Sequence, residues 1–333
     1  RLFSGSDVDV RLTRVNPNAT IAAGFPLWID TSGGFQQALQ LASDGAGGVF
    51  AAYEDNVPGS FDIRVKKYSA AGLPVLDFVY GPYAGNQREP QLVADGLGGV
   101  LVGFTNSAST PAVTSVFRLV NSGGSQWVAN VLSDAADPRT LVQMVSDGAR
   151  GAYVLSRADL FFSTDWVLNH LTAAGTIATG WPGVAGRTLL GGFNTTAILA
   201  SDGKGGALTL MWQPQNVLPA VSRWTANGST ASGWSYLGAT VSNETSLDGA
   251  ALVDDGNGGA IAVFSDLRNS LDYDLFAQRV ERFGQLGSPE PSIVSVKDVS
   301  LDQGGRVRVS WTPSYLDADP LFGVGSYRVW RQV

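Results

Sequence analysis

At 333 residues the chain exceeds the ~100–200 residues of an ordinary domain, and its 44% hydrophobic content excludes disorder. Charged residues make up 15%, and glycine is 41 of 333 without a three-residue period, which excludes collagen and calls for many turns. The net charge of −7 argues against nucleic acid or an anionic membrane as partner, and no apolar run approaches the ~18 residues of a membrane span. With no cysteine, neither disulfides nor thiolate metal sites can form.

In chain order, the first predicted element is a strand over DVDVRLTRV (residues 7–15), where apolar and polar residues alternate. Next comes LASDGAGGVFAAY (residues 41–53), two apolar strands around a glycine-rich turn. Glycine supplies positive φ there and Asp44 can bond the backbone that follows it, so the phrase reads as a β-hairpin. It returns as LVADGLGGVLVGF, MVSDGARGAYVLS, LASDGKGGALTLM and LVDDGNGGAIAVF. Its aspartates, Asp44, Asp95, Asp147, Asp202 and Asp255, stand 51, 52, 55 and 53 residues apart. A strand like the first one follows each hairpin, with a basic residue or histidine in its fifth place: Arg14, Lys67, Arg118, His170, Arg223 and Arg279. Gly72, Gly123, Gly175, Gly228 and Gly284 close the next turn, and TIAAGFP, TIATGWP and STASGWS are predicted as fourth, edge strands.

Four strands every fifty residues or so predict an all-β chain built as a β-propeller, since one blade cannot bury both its faces alone. Residues 1–288 hold five full blades and a partial one, with six blades favoured; the opening RLFSGSDVDVRLTRV matches the tail of DLRNSLDYDLFAQRV, so Arg1 reads as an interior point of a longer chain. After Gly284 the pattern changes. GSPEPS reads as a linker, and SIVSVKDV, GRVRVSW and SYRVWRQV read as strands over residues 289–333.

The hairpin phrase followed by Phe264, Asp266, Arg268, Asp274, Gln278 and Arg279 resembles repeat propellers of secreted and surface proteins of bacteria. The match is partial elsewhere: Tyr53 with Asp55, and Phe104 with Asn106. That resemblance specifies a fold and not an activity. The C-terminal strands resemble the first three of a fibronectin type III domain, with Trp311 and Tyr327 at core positions; the alternative is a degenerate closing blade, because DQGG loosely echoes the repeated turn.

Several residues could carry chemistry. His170, the only histidine, stands where the other repeats hold Arg or Lys, which points to structure and away from catalysis. Glu54, Asp55, Glu89, Asp266, Asp272 and Asp274 are the acids from which a carboxylate pair for glycoside hydrolysis could be drawn; no recognised constellation emerges, and solvated loop acids are the plainer reading. No cofactor is expected, except that the pairs Asp272 with Asp274 and Asp317 with Asp319 could share a calcium ion. Trp181 and Trp234 are expected to pack on a neighbouring sheet, whereas Trp212, one residue past the aromatic place of its repeat, should point the other way and is a binding candidate. The stretches 54–62, 105–114, 156–165, 213–220 and 265–274 vary while the turns hardly do, so a partner is expected on the loop face, with Arg268, Asp272 and Tyr273 as preferred contacts. Arg268 could instead pair with Asp266 or Asp274 within its own blade.

The leading expectation is a non-enzymatic secreted or cell-surface platform for adhesion or assembly, binding an extracellular protein, a glycan or itself. The alternative is a carbohydrate-binding or carbohydrate-active propeller that uses the loop face.

Overall fold

The computed structural model describes residues 2–4, 7–56, 59–81, 85–107, 112–130, 138–160, 163–192, 194–214, 216–268, 272–287, 291–300, 305–314 and 324–329. Among the described residues the chain is all-β, with one short 3₁₀ turn at Gly183–Ala185. Antiparallel sheets follow one another along the sequence. The first holds β1 (Leu2–Ser4), β2 (Asp7–Leu12) and β3 (Leu27–Asp30), and the second β4 (Gln36–Ser43), β5 (Val49–Asp55), β6 (Asp62–Tyr68) and β7 (Pro74–Tyr80). The third holds β8 (Gln87–Ala94), β9 (Val100–Asn106), β10 (Val113–Leu119) and β11 (Ser125–Asn130). The fourth is β12 (Arg139–Ser146), β13 (Ala152–Leu160), β14 (Ser163–Leu171) and β15 (Arg187–Gly192), and the fifth β16 (Thr196–Ser201), β17 (Ala207–Gln213), β18 (Val217–Trp224) and β19 (Ala239–Thr240). The sixth is β20 (Leu247–Asp254), β21 (Ala260–Asp266) and β22 (Asp274–Val280), and a separate pair is β23 (Ser292–Asp298) with β24 (Val307–Thr312).

The apolar hairpin strands are explained by where their two faces go. On β5, Val49, Ala51 and Tyr53 pack toward Val10, Leu12 and Ile29 of the first sheet, while Phe50 and Ala52 pack toward Val100, Val102 and Phe104 of the third. The same holds onward. Hydrophobic clusters join the third sheet to the fourth, the fourth to the fifth and the fifth to the sixth, so the core is divided into layers between successive sheets. The innermost strands β4, β8, β12, β16 and β20 pack side by side in that order. This is blade packing in a propeller.

Three expectations need adjustment. The fifth hairpin lies in a sheet of three strands among the described residues, since after the Val280–Leu286 bridge the chain goes on to the separate β23–β24 pair. TIAAGFP, TIATGWP and STASGWS are not the fourth strands. Each makes one bridge (Val15–Ile21, Leu171–Ile177, Trp224–Thr230) and then turns, and the fourth strands β3, β15 and β19 come later. The turn fits the neighbouring blade: a Cβ on Gly24 would lie 2.7 Å from the carbonyl oxygen of Ala71. Finally, the described part of SYRVWRQV is not a strand, although the Trp311 and Tyr327 rings meet at 5.9 Å and the Tyr327 hydroxyl accepts the Ser314 N–H at 2.6 Å.

Trp181 and Trp234 do pack on neighbours. Both are buried, and their indole N–H groups donate to Ala226 O at 2.8 Å and Arg282 O at 2.9 Å, in the turn of the next blade.

Candidate functional site

The two ends of the blades differ in chemistry. At the hairpin turns every aspartate does the same work. Asp44 Oδ1 accepts the N–H groups of Ala46 (2.8 Å) and Gly48 (2.7 Å), and Asp95, Asp147, Asp202 and Asp255 repeat this with the residues two and four ahead. The other oxygen meets the basic residue of the third strand: Lys67 at 3.1 Å, Arg118 at 2.7 Å, His170 at 2.9 Å, Arg223 at 2.9 Å and Arg279 at 2.8 Å. The aspartate column and the basic column seen in the sequence are thus two halves of one clip. Burial alone would raise the carboxyl of Asp95, but Arg118 and the two N–H groups overcome it and hold it below the usual range; Asp44, Asp147 and Asp255 shift the same way. His170 completes one such clip, its Nδ1 meeting Ala226 O at 3.0 Å and its ring stacked on Tyr153 at 4.3 Å.

Gly48 and Gly99 are required for space and not for torsion. Neither has positive φ, whereas Gly47 and Gly98 do. A Cβ on Gly99 would lie 2.6 Å from the Asp95 carboxylate and 2.7 Å from Leu119 O.

The opposite, loop end of the innermost strands is irregular. Register shifts interrupt β4 between Gln37 and Gln40, β8 between Arg88 and Gln91, β12 between Leu141 and Gln143, and β20 between Leu247 and Gly249. Such bulges re-aim side chains. Two bulge residues other than glycine, Ala38 and Glu89, have φ of +54° and +59°.

Glu89 is held there from both sides. Its N–H donates to Glu54 Oε1 at 2.7 Å, and its Oε2 accepts the Thr105 hydroxyl at 3.0 Å. Glu54 is buried and also accepts Gln37 Nε2 at 2.9 Å and Arg88 Nε at 3.0 Å, while Thr105 Oγ1 accepts the Leu141 N–H at 2.9 Å. One hydrogen-bonded chain therefore ties three blades together at the mouth of the axis. Beside it lies a cavity of about 350 Å³ whose wall includes Gln40, Glu89, Gln91, Thr140 and Arg157. Arg157 is paired with Asp159 at 3.0 Å, and the Thr140 hydroxyl donates to Arg157 O at 3.4 Å.

The structure distributes the expected site residues unevenly. Glu54 and Glu89 come together beside this cavity, with Glu89 in its wall. Asp55 faces Asp62 across β5 and β6 and binds Arg64 at 3.1 Å; burial and the Asp55 charge raise the carboxyl of Asp62. Arg64 also reaches Asp30 at 3.2 Å, which accepts the Tyr53 hydroxyl at 2.5 Å, so this acid group fastens the first sheet to the second.

Arg268 pairs with Asp266 at 2.7 Å and lies 3.6 Å above the Phe276 ring, within its own blade. Asp272 and Tyr273 are exposed, and neither they nor Arg268 line the axial cavity. Trp212 does point away from the aromatic place of its repeat, sharing a face of β17 with Leu208 and Leu210 while Met211 takes the other, but that face is covered: Trp212 is buried between the fifth and sixth sheets and is not open to a partner. Asp274 faces Asp266 across β21 and β22, and among the described residues no three His, Asp or Glu side chains gather as a metal site would require. Asp317 and Asp319 lie outside the described residues.

Gln40, Gln91, Thr140 and Arg157 were not anticipated. One signal could have found the place: the tenth residue after each turn aspartate is Glu54, Thr105, Arg157, Trp212 and Ser265, five residue types within a uniform repeat.

No family model matches the chain, and no curated protein matches it. Among solved structures it is similar to the Hadza microbial sialidase Hz136, at 12% identity and a TM-score of 0.46 over 78% of this chain and 60% of that one. It is also similar to a PL25 ulvan lyase (11%, 0.49, 75% of this chain and 68% of that one). A third is the propeller domain of the Trilobed protease of Pyrococcus furiosus (9%, 0.43, 83% and 84%). The chain thus spans less than two thirds of the sialidase, and the likeness concerns fold alone. Among the described residues no helix is long and apolar enough to cross a membrane.

Proposed function

We propose that the chain is an extracellular carbohydrate-binding propeller that takes a sugar unit at the loop end of its axis. One observation carries this reading. Glu89 is held in a left-handed conformation that costs a non-glycine residue ~1–3 kcal/mol, by bonds from two blades, with its carboxylate at a cavity wall. Strain kept in place by its surroundings is a feature of ligand sites.

The wall suits a polyhydroxyl ligand. Gln40 and Gln91 offer donors and acceptors, Thr140 a hydroxyl and Glu89 an acceptor pair. The volume of about 350 Å³ falls in the ~300–1,000 Å³ range of small-molecule sites. Hydrolysis by the common route takes two carboxyl groups across the scissile bond, and Glu89 is the one acid among the described wall residues, so the reading is of binding.

The test is calorimetric titration of the intact chain with oligosaccharides chosen from a glycan array. Binding that weakens at least tenfold in Glu89→Gln, at an unchanged melting temperature, is expected. A folded protein that binds no glycan overturns the reading. A second reading, an assembly platform, draws on the exposed apolar residues Ile293, Val294, Val296 and Val307 of the β23–β24 pair.

A further inference from the structure

We infer that the axial cavity selects uncharged glycans, with neighbouring hydroxyl groups on the Glu89 carboxylate, and rejects chains carrying carboxylate or sulfate. This rests on the carbohydrate reading of the same site and adds the class of ligand.

Charge at the wall decides the class. The Glu89 carboxylate accepts one hydrogen bond, from the neutral Thr105 hydroxyl, and has no cation among the described residues. Arg88 and Arg157, the cations nearest to it, are each paired with an acid. Arg88 Nε lies 3.0 Å from Glu54 and its guanidinium covers the Phe61 ring at 4.0 Å. Arg157 holds Asp159 at 3.0 Å. Arg139, at the start of β12, is buried and sends Nη1 to Val184 O at 3.3 Å, next to the outer strand of its own sheet. On the bulge of β20, Asp248 is exposed and adds a further negative charge at the same end of the inner strands.

Glu54, Arg88, Glu89, Arg139, Arg157, Asp159 and Asp248 together sum to one negative charge in a protein of net charge −7. An anionic sugar would meet an unmatched carboxylate, and like charges set face to face are among the strongest means of exclusion at a site. A neutral sugar can donate two hydroxyl hydrogens to that carboxylate, and hydrogen bonds to an ionised acceptor are about twice as strong as neutral ones. The glutamine amides do not distinguish the two classes, so Glu89 sets the choice.

The experiment compares neutral oligosaccharides with uronate and sulfated oligosaccharides of equal length, by calorimetry at low and at physiological salt. Wild-type chain, Glu89→Gln and Asp159→Asn are used, each checked by its melting temperature. The expected result is at least tenfold tighter binding of the neutral class by the wild type. Glu89→Gln should weaken neutral binding about tenfold and leave acidic binding equal or stronger. Asp159→Asn, an exposed change that frees Arg157, should strengthen acidic binding a few-fold. Uronate or sulfate chains bound as tightly as neutral ones, with affinity still sensitive to Glu89→Gln, would overturn the inference and leave the carbohydrate reading standing. Binding of neither class would overturn both.

Discussion

At the turn end of the blades, five aspartates accept the same pair of backbone N–H groups and meet a basic side chain from the same place of the third strand. At the loop end, the five residues in one equivalent place are Glu54, Thr105, Arg157, Trp212 and Ser265, five different residue types. A feature repeated five times can only support what is common to all blades, namely the fold. Chemistry that occurs once, such as a bulge glutamate whose N–H and carboxylate are bonded from two blades, can form a distinct site. The difference assigns stability to one end and leaves the other as the place proposed for recognition.

The comparison breaks most sharply if the clips prove dispensable. Asp95→Ala strands the buried Arg118 and two N–H donors, and removing one partner of a buried pair costs ~3–5 kcal/mol. Chemical denaturation should show a loss of that order with glycan binding retained in the folded fraction. The clip also has a pH signature. Because the folded carboxyl of Asp95 lies below its unfolded value, its stabilisation is present above the unfolded value of ~3.9 and is lost as pH falls toward the folded one. Urea midpoints measured from pH 6 to pH 2 should therefore fall less steeply in Asp95→Asn than in the wild type; parallel profiles would contradict the clip.

Gly99→Ala should cost ~1–3 kcal/mol through crowding against Asp95 and Leu119 O, although φ there is not positive. At the small end is Arg150, whose φ of +73° occupies the place that Gly47, Gly98, Gly205 and Gly258 fill in the other turns. Arg150→Gly should raise stability by ~0.5–1 kcal/mol, seen as a higher melting temperature, since relief of left-handed strain exceeds the added freedom of the unfolded chain.

Much of the turn end was legible because its period and its residue types coincide. Asp44 to Asp255 and Arg14 to Arg279 stand in fixed places, and only their pairing had to be seen in three dimensions. The loop end was not legible in the same way. Glu54 and Glu89 stand among the candidate acids, but a bulge shifts register without leaving a residue signature, and a bulge places Glu89 at the cavity wall; alternation puts Trp212 on the Leu208 and Leu210 face, and only the packing of the next sheet shows that face to be covered. Arg268 matched a motif and stood among the preferred partner contacts, with pairing to Asp266 or Asp274 in its own blade as the other reading; its guanidinium bonds Asp266 and lies over Phe276.

The account is tested most directly by hydrogen–deuterium exchange of the intact chain with and without a bound neutral oligosaccharide. It predicts added protection in peptides covering 36–43, 87–94 and 139–146, where β4, β8 and β12 line the cavity, and none in the turns at 44–48, 95–99 and 147–151. Protection confined to the turns, or to the exposed residues around Tyr273, would contradict it.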